Sequence, residues 1–227
     1  MPKKIVRRSS LSDQATDILR ESILSLEIEP GERLIVDNLA EKFNISRTPI
    51  REALRNLTVQ GLISYNGIVY RVTRLTREDI IELYSVREAL EVLAAAQAAE
   101  KATATQLRKL EQINGNYDLK LSQRKLIDLD MEFHQMIQEA SRNTRLQAML
   151  KTISEQILLV RRWLFQDQSR KSIEGDTINE HSAIVQSIAD HEPEKAAELM
   201  KYHLNRGRQR LLTLLDVDKR FLSAVRD

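Results

Sequence analysis

The sequence predicts a mainly α-helical protein in two parts: an N-terminal winged helix-turn-helix, then an all-α domain. Three observations lead there. A chain of 227 residues is too long for one small domain and fits two. Six Gly and four Pro leave little material for turns, which favours long helices over a turn-rich β fold. Apolar periodicity is helical along most of the chain and switches to a β pattern only after Gly61.

The elements follow in order. Residues 1–10 are basic and end in Ser, an arm ahead of the first helix. Leu11 to Leu26 carries apolar Leu11, Ala15, Ile18, Leu19, Ile23 and Leu26 at three- and four-residue steps, and Pro30-Gly31 then breaks the chain. A short helix spans about Val36 to Phe43, ended by Asn44. Ser46 is placed to cap the next helix, and Pro49 sits in its first turn, where a missing N–H is harmless. That helix runs to about Gln60, and Gly61 stops it. Leu62–Tyr65 and Ile68–Val72 then read as two strands about an Asn66-Gly67 turn. Helix, helix, turn, helix, hairpin is the order of a winged helix.

From Thr76 only helices are predicted: about 76–99, 104–121, 123–140, 143–168, 177–190 and 193–216. Thr76 with Asp79 resembles a capping box, and breaks fall at Asn143, near Gly175 and at His191-Glu192-Pro193. Arg71 to Thr76 is the natural boundary, which divides the chain into domains 1–72 and 73–227.

Composition excludes several functions. With no cysteine there is no disulfide, zinc-thiolate site or thiol nucleophile. No stretch approaches the roughly 20 apolar residues of a membrane span, and no apolar signal core follows the basic start, so a soluble, cytoplasmic protein with no membrane partner is expected. Sparse aromatics argue against stacking on single-stranded nucleic acid. Residues 1–74 hold 12 Lys/Arg against 9 Asp/Glu, whereas 75–227 hold 23 against 24. The positive excess lies where a duplex-contacting module would need it.

The third helix carries that chemistry. Ile50, Ala53, Leu54 and Leu57 supply a face to bury, while Arg47, Thr48, Arg51 and Arg55 lie on or near the other. Such a helix can present its first turns to a major groove, where Arg bridges guanine O6 and N7. Free N–H groups at its start, with Ser46 and Thr48, suit a phosphate. A plain solvated arginine stripe, with Arg51 paired to Glu52 or Asp37, is the bland alternative; the Pro-Gly turn, Ser cap and Asn-Gly hairpin around the helix weigh against it. Pro30-Gly31-Glu32-Arg33-Leu34, Ser46-Arg47-Thr48-Pro49-Ile50-Arg51-Glu52-Ala53-Leu54 and Gly61-Leu62-Ile63 together resemble the DNA-binding domain of the GntR family. The resemblance implies a homodimer on double-stranded, pseudo-palindromic operator DNA. It places Arg47 and Arg51 among the base- or phosphate-contacting residues and the hairpin tip near Gly67 at the minor groove; Arg33, Ser46, Thr48, Arg55 and Asn66 join them as candidate DNA-contacting residues. Family wings often read Arg-Gly; here Asn66 replaces the basic residue.

A second constellation lies in the helical part. Asp130 and His134 are four apart on one helix face, and His181 and His203 lie on two later helices. Converging in a bundle core, they would form a mixed N/O site for a divalent ion (Zn, Ni or Mn). Taken singly they read as a surface pair, a helix-capping residue and a half-buried core histidine. Asp130 to His134, Asn143, Leu146, His181 to Ile184, Ala196 to Glu198 and His203-Leu204 resemble the FCD effector domain of the FadR subfamily within GntR, with Arg87 and Glu91 fitting its first helix. The resemblance implies an all-α antiparallel bundle of six or seven helices, in which Asp130, His134, His181 and His203 bind a metal beside a small organic acid. Arg87 is then the residue to grip an effector carboxylate, helped by Arg161 or Arg162, of which Arg162 is taken.

The expected function is a ligand-responsive transcriptional regulator, a repressor, and not an enzyme. A metal-dependent helical-bundle enzyme is one alternative, weakened by the lack of a spare general base beside the ligands, since Glu132 faces away. An architectural DNA-binding dimer without a ligand is the other.

Overall fold

A computed structural model describes residues 10–166 and 175–218. The chain divides into two compact units between Arg74 and Leu75.

The first unit holds α1 (Leu11–Leu24), β1 (Arg33–Leu34), α2 (Val36–Phe43), α3 (Arg47–Val59), β2 (Ile63–Tyr65) and β3 (Tyr70–Val72). Ser10 and Asp13 form a reciprocal capping box at the start of α1, which satisfies two of the N–H groups a helix start leaves unpaired. Ala15, Leu19 and Ile23 from α1 pack against α3, whose Ile50, Ala53, Leu54 and Leu57 are all fully buried. Leu11 and Ile18, expected on the buried face, instead point to solvent. Asn44 ends α2 in the left-handed region, φ 51°, which Asn tolerates better than most residues.

The sheet departs from expectation in two respects. Arg33–Leu34 forms an added strand that pairs antiparallel with β3, giving the order β1-β3-β2. Two residues are too few for a periodicity to show. Tyr65 pairs with Tyr70, so the hairpin loop holds four residues, Asn66 to Val69, and not the Asn-Gly pair alone. The Asn66 side chain closes it by accepting from the N–H groups of Ile68 and Val69. Ile68 is thereby taken from the strand and left exposed. Gly31 is required where it stands: its φ is +89°, and a Cβ there would lie 3.0 Å from the Arg74 guanidinium.

The second unit is the helical bundle: α4 (Arg77–Lys101), α5 (Ala104–Gly115), α6 (Gln123–Ala140), α7 (Thr144–Leu164), α8 (Gly175–Ala189) and α9 (Pro193–Val217). Six helices are therefore present among the described residues. Capping boxes at Thr76/Asp79 and Thr103/Gln106 start α4 and α5, and Ser122 and Asn143 cap α6 and α7. Helix α5 stops at Gly115, six residues before the expected end. Ala94, Ala95, Ala98 and Ala99 give α4 a flat, fully buried face in the core with Phe133, Ile137, Leu150, Ile184 and Met200. Small side chains there let neighbouring helix axes approach closely. His191, in the turn between α8 and α9, is anchored to the Ala99 carbonyl at 2.7 Å. No helix among the described residues is long and apolar enough to cross a membrane.

Candidate functional site

Three helices aim four polar side chains at one point in the bundle interior. Asp130 and His134 project from one face of α6, one turn apart, while α8 contributes His181 and α9 contributes His203; all four are buried. One ligand atom from each lies within 4.8 Å of the others. His203 Nε2 is 3.2 Å from His134 Nε2 and 3.4 Å from His181 Nε2. Asp130 Oδ1 is 3.6 Å from His181 Nε2, and its Oδ2 is 3.9 Å from His134 Nε2. A tetrahedron with 2.0–2.1 Å bonds to a divalent ion has edges of roughly 3.3–3.4 Å; the two Nε2–Nε2 separations match it, and the Asp130 oxygens, at 3.6 and 3.9 Å, stand slightly farther out.

The hydrogen bonds behind the ring explain why the nitrogens face each other. His134 Nδ1 meets Glu91 Oε2, and His203 Nδ1 meets Glu180 Oε2 at 2.9 Å. A carboxylate can only accept, so each Nδ1 donates, and in a neutral imidazole the lone pair then lies on Nε2. Two lone pairs facing each other at 3.2 Å repel unless a proton or a cation lies between them. The donor set therefore fits a metal ion on chemical as well as metric grounds. His181 is held differently: its ring stacks on Phe133 at 3.8 Å, and its Nδ1 has no hydrogen-bond partner among the described residues.

Electrostatics keep these groups ready to bind. Burial pushes the His134 imidazole below its ordinary value against the pull of Glu91. Burial, reinforced by His203, pushes His181 well below. Both are thus neutral near pH 7, the form that ligates. Burial alone would raise the Asp130 carboxyl, but the Arg161 guanidinium beside it more than offsets this and holds it well below the usual carboxylate range. Glu91 behaves alike, brought down to about 2 by Arg87 and His134 despite its burial.

Arginines complete the centre. Arg87 Nε donates to Glu91 Oε1 at 2.7 Å, and Arg161 Nη1 donates to Asp130 Oδ2. Both line a cavity of about 30 Å3 together with Tyr84, Thr177, Glu180 and Arg210, enough for one or two water-sized groups. Arg162, expected at the effector, does not line it; its guanidinium pairs at 2.6 Å with Asp128, which is half-exposed. One step along α7 turns a side chain by about 100°, so adjacent arginines cannot both face inward, and it is Arg161 that does. Glu132 is exposed and paired with Lys109, as expected from its place on α6. Glu91 and Glu180 nevertheless put two carboxylates beside the imidazoles. Sequence reasoning gave Glu180 no role; its signal was only its place next to His181.

In the first unit, Arg33, Arg47, Arg51 and Arg55 line one groove with Tyr65 and Tyr70. Thr48, Asn66 and Gly67 are exposed. Ser46 stands at the N-cap of α3 but makes no side-chain capping bond, which leaves its hydroxyl uncommitted to the helix. Arg47 Nε pairs with Asp37 Oδ1 at 2.8 Å, so the bland alternative of an Asp37 pairing applies to Arg47 and not to Arg51.

Comparison with known proteins agrees with both halves. Residues 11–67 match the bacterial regulatory proteins of the gntR family, and residues 82–206 match the FCD domain. The chain is 29% identical over 214 residues to the HTH-type transcriptional regulator YdhC of Bacillus subtilis, covering 88% of this chain and 91% of that protein. It is 27% identical over 226 residues to the transcriptional repressor NanR of Cronobacter sakazakii, covering 89% and 86%. Among solved structures, McbR/YncC of E. coli superposes with a TM-score of 0.73 at 22% identity, covering 91% of this chain and 99% of that one; this likeness bears on the fold alone.

Proposed function

We propose, from the premise that the chain belongs to the GntR family of bacterial regulatory proteins and carries an FCD domain, that it is a ligand-responsive transcriptional repressor whose sensor is a metal-assisted carboxylate site. Residues 1–72 form the DNA-binding domain, and residues 73–227 bind the effector and dimerise. Two copies engage a pseudo-palindromic operator through Arg33, Ser46, Arg47, Thr48, Arg51 and Arg55, with the wing at Asn66 and Gly67 against the minor groove. Exposure of these residues and the basic groove they border support this reading. The repressor sense draws on the likeness to NanR.

The observation that carries the sensor reading is the convergence of Asp130 with three imidazole Nε2 atoms beside Arg87. These four side chains would hold a divalent ion (Zn, Ni or Mn), and the bound ion would supply a coordination position for a carboxylate. Arg87 lies against the same cavity, suited to pair with that carboxylate. A metal-dependent enzyme is disfavoured because both nearby carboxylates, Glu91 and Glu180, are already engaged by an arginine and a histidine.

Elemental mass spectrometry of tag-free protein, wild type beside His181→Ala, tests the sensor. Near-stoichiometric metal in wild type and its loss in the variant are expected. No metal in wild type after reloading would reduce the bundle to a metal-free pocket or a plain dimerisation domain.

A further inference from the structure

Two three-residue chains of matching chemistry reach the imidazole cluster from outside it. In one, Arg87 Nε donates to Glu91 Oε1 while Glu91 Oε2 holds His134 Nδ1. In the other, Arg206 Nη1 donates to Glu180 Oε1 at 2.5 Å while Glu180 Oε2 holds His203 Nδ1 at 2.9 Å. The first is sealed in the core; the second reaches the surface, since Arg206 is about one-third exposed. In each, a carboxylate spends one oxygen on an arginine that can only donate and the other on a histidine.

We infer that Glu91 and Glu180 are positioning residues that fix His134 and His203 in the Nδ1–H tautomer, and through it set the affinity of the cluster for a metal ion. The inference rests on the metal reading proposed above and adds the residues that make it work. An imidazole whose Nδ1 faced a donor would carry its proton on Nε2 and could not ligate there until that proton left. Carboxylates behind metal-bound histidines both orient the ring and raise its basicity, and their loss typically weakens binding about 10- to 100-fold.

The arginine partners make the isosteric change informative. In Glu91→Gln the amide oxygen is claimed by Arg87 Nε, which has nothing to accept with. The amide NH2 is then turned to His134 Nδ1, which must become an acceptor, and the proton moves to Nε2. Glu180→Gln does the same to His203 through Arg206. Shape and volume are conserved while the tautomer inverts, an outcome no merely structural role would give.

The test uses full-length protein, Glu91→Gln and Glu180→Gln, with Glu132→Gln as a control on the exposed side of α6. Zn2+ affinity is measured by competition with a chromophoric chelator, and 15N shifts of the imidazoles report the tautomer of the metal-free protein at a pH where they are neutral. Because Glu91→Gln leaves Arg87 buried beside a neutral group and can fail to fold, Glu180→Gln at the bundle edge carries the test alone if needed. The expected result is Zn2+ binding weakened about 10- to 100-fold in either variant, a shift of His134 or His203 to Nε2–H, and no change in Glu132→Gln. Wild-type affinity and an unchanged tautomer in Glu180→Gln, with wild type binding Zn2+, would overturn the inference and leave the metal reading standing. Failure of wild type itself to bind Zn2+ would overturn both.

Discussion

Arg161 and Asp130 form a buried ion pair in which the guanidinium rests against Oδ2, the carboxylate oxygen that also faces His134 Nε2 at 3.9 Å. Asp130 thus lies between a fixed protein cation and the centre of the imidazole cluster, where a metal cation would sit. Without an ion the guanidinium balances the carboxylate. With one, the same charge is shared between two cations.

That sharing predicts opposite effects of Arg161→Gln on the two states. In chelator-treated protein the substitution strands a buried carboxylate, and breaking such a pair typically costs about 3–5 kcal/mol. With saturating Zn2+ the ion neutralises Asp130, so much of the loss is recovered. Thermal denaturation should show a lower Tm without metal and a larger metal-induced increase than in wild type. Arg162→Ala serves as the contrast: its partner Asp128 is half-exposed, and pairs of that kind contribute below about 1 kcal/mol. An equal metal-induced increase in wild type and Arg161→Gln would refute the shared-charge account.

The buried imidazoles predict an acid-sensitive metal-free state. His134 and His181 are both pushed below the ordinary value of 6.5 in the folded protein, so the unfolded chain takes up protons that the native state refuses. Stability therefore rises with pH through this region and falls as pH drops below 6.5, by up to about 1.4 kcal/mol per pH unit for each histidine until its folded value is reached. Glu91 adds a second, lower window: held down to about 2 from 4.5, it contributes stability that is complete above 4.5 and lost as pH falls toward 2. Urea midpoints in chelator should decline from neutral pH toward pH 5, and Zn2+ should raise them less as pH falls because protons compete for Nε2. A flat midpoint between pH 7 and 5 would show that these imidazoles are not buried neutral.

Legibility in the sequence followed the length scale of each signal. Long amphipathic helices with capping residues could be read directly: Thr76 with Asp79 starts α4 and Asn143 starts α7, because a cap acts within four residues of itself. The pairing of Arg33–Leu34 with β3 could not, since a two-residue strand is specified by its partner across the sheet. At the site, Asp130 and His134 share a face by simple helical spacing, and the histidines on α8 and α9 were few enough to consider together. Glu180 and Arg161 were not distinguishable from their neighbours. Which of two adjacent arginines turns inward depends on the phase of α7 against α6, a tertiary quantity that the local pattern around Arg161-Arg162 does not carry.

In the arginine-lined groove of the first unit, Arg47 is occupied by Asp37 at 2.8 Å with both side chains well exposed. A phosphate approaching Arg47 must displace that carboxylate and also meets its repulsion. Asp37→Asn removes both obstacles, so this loss of an ion pair should tighten binding. The cost to stability should stay below about 1 kcal/mol because the pair is at the surface. Arg51 has no ion pair among the described residues, and Arg51→Ala should weaken binding by roughly 1–3 kcal/mol if it reads a base through two hydrogen bonds. Using duplexes selected by the wild-type protein from a random pool, titrations at several salt concentrations separate the roles. If Arg47 takes up a phosphate more fully once Asp37 is neutralised, the salt dependence should steepen by up to about one counterion for each copy bound. Weaker binding by Asp37→Asn would mean that Asp37 positions Arg47 for the DNA and does not compete with it.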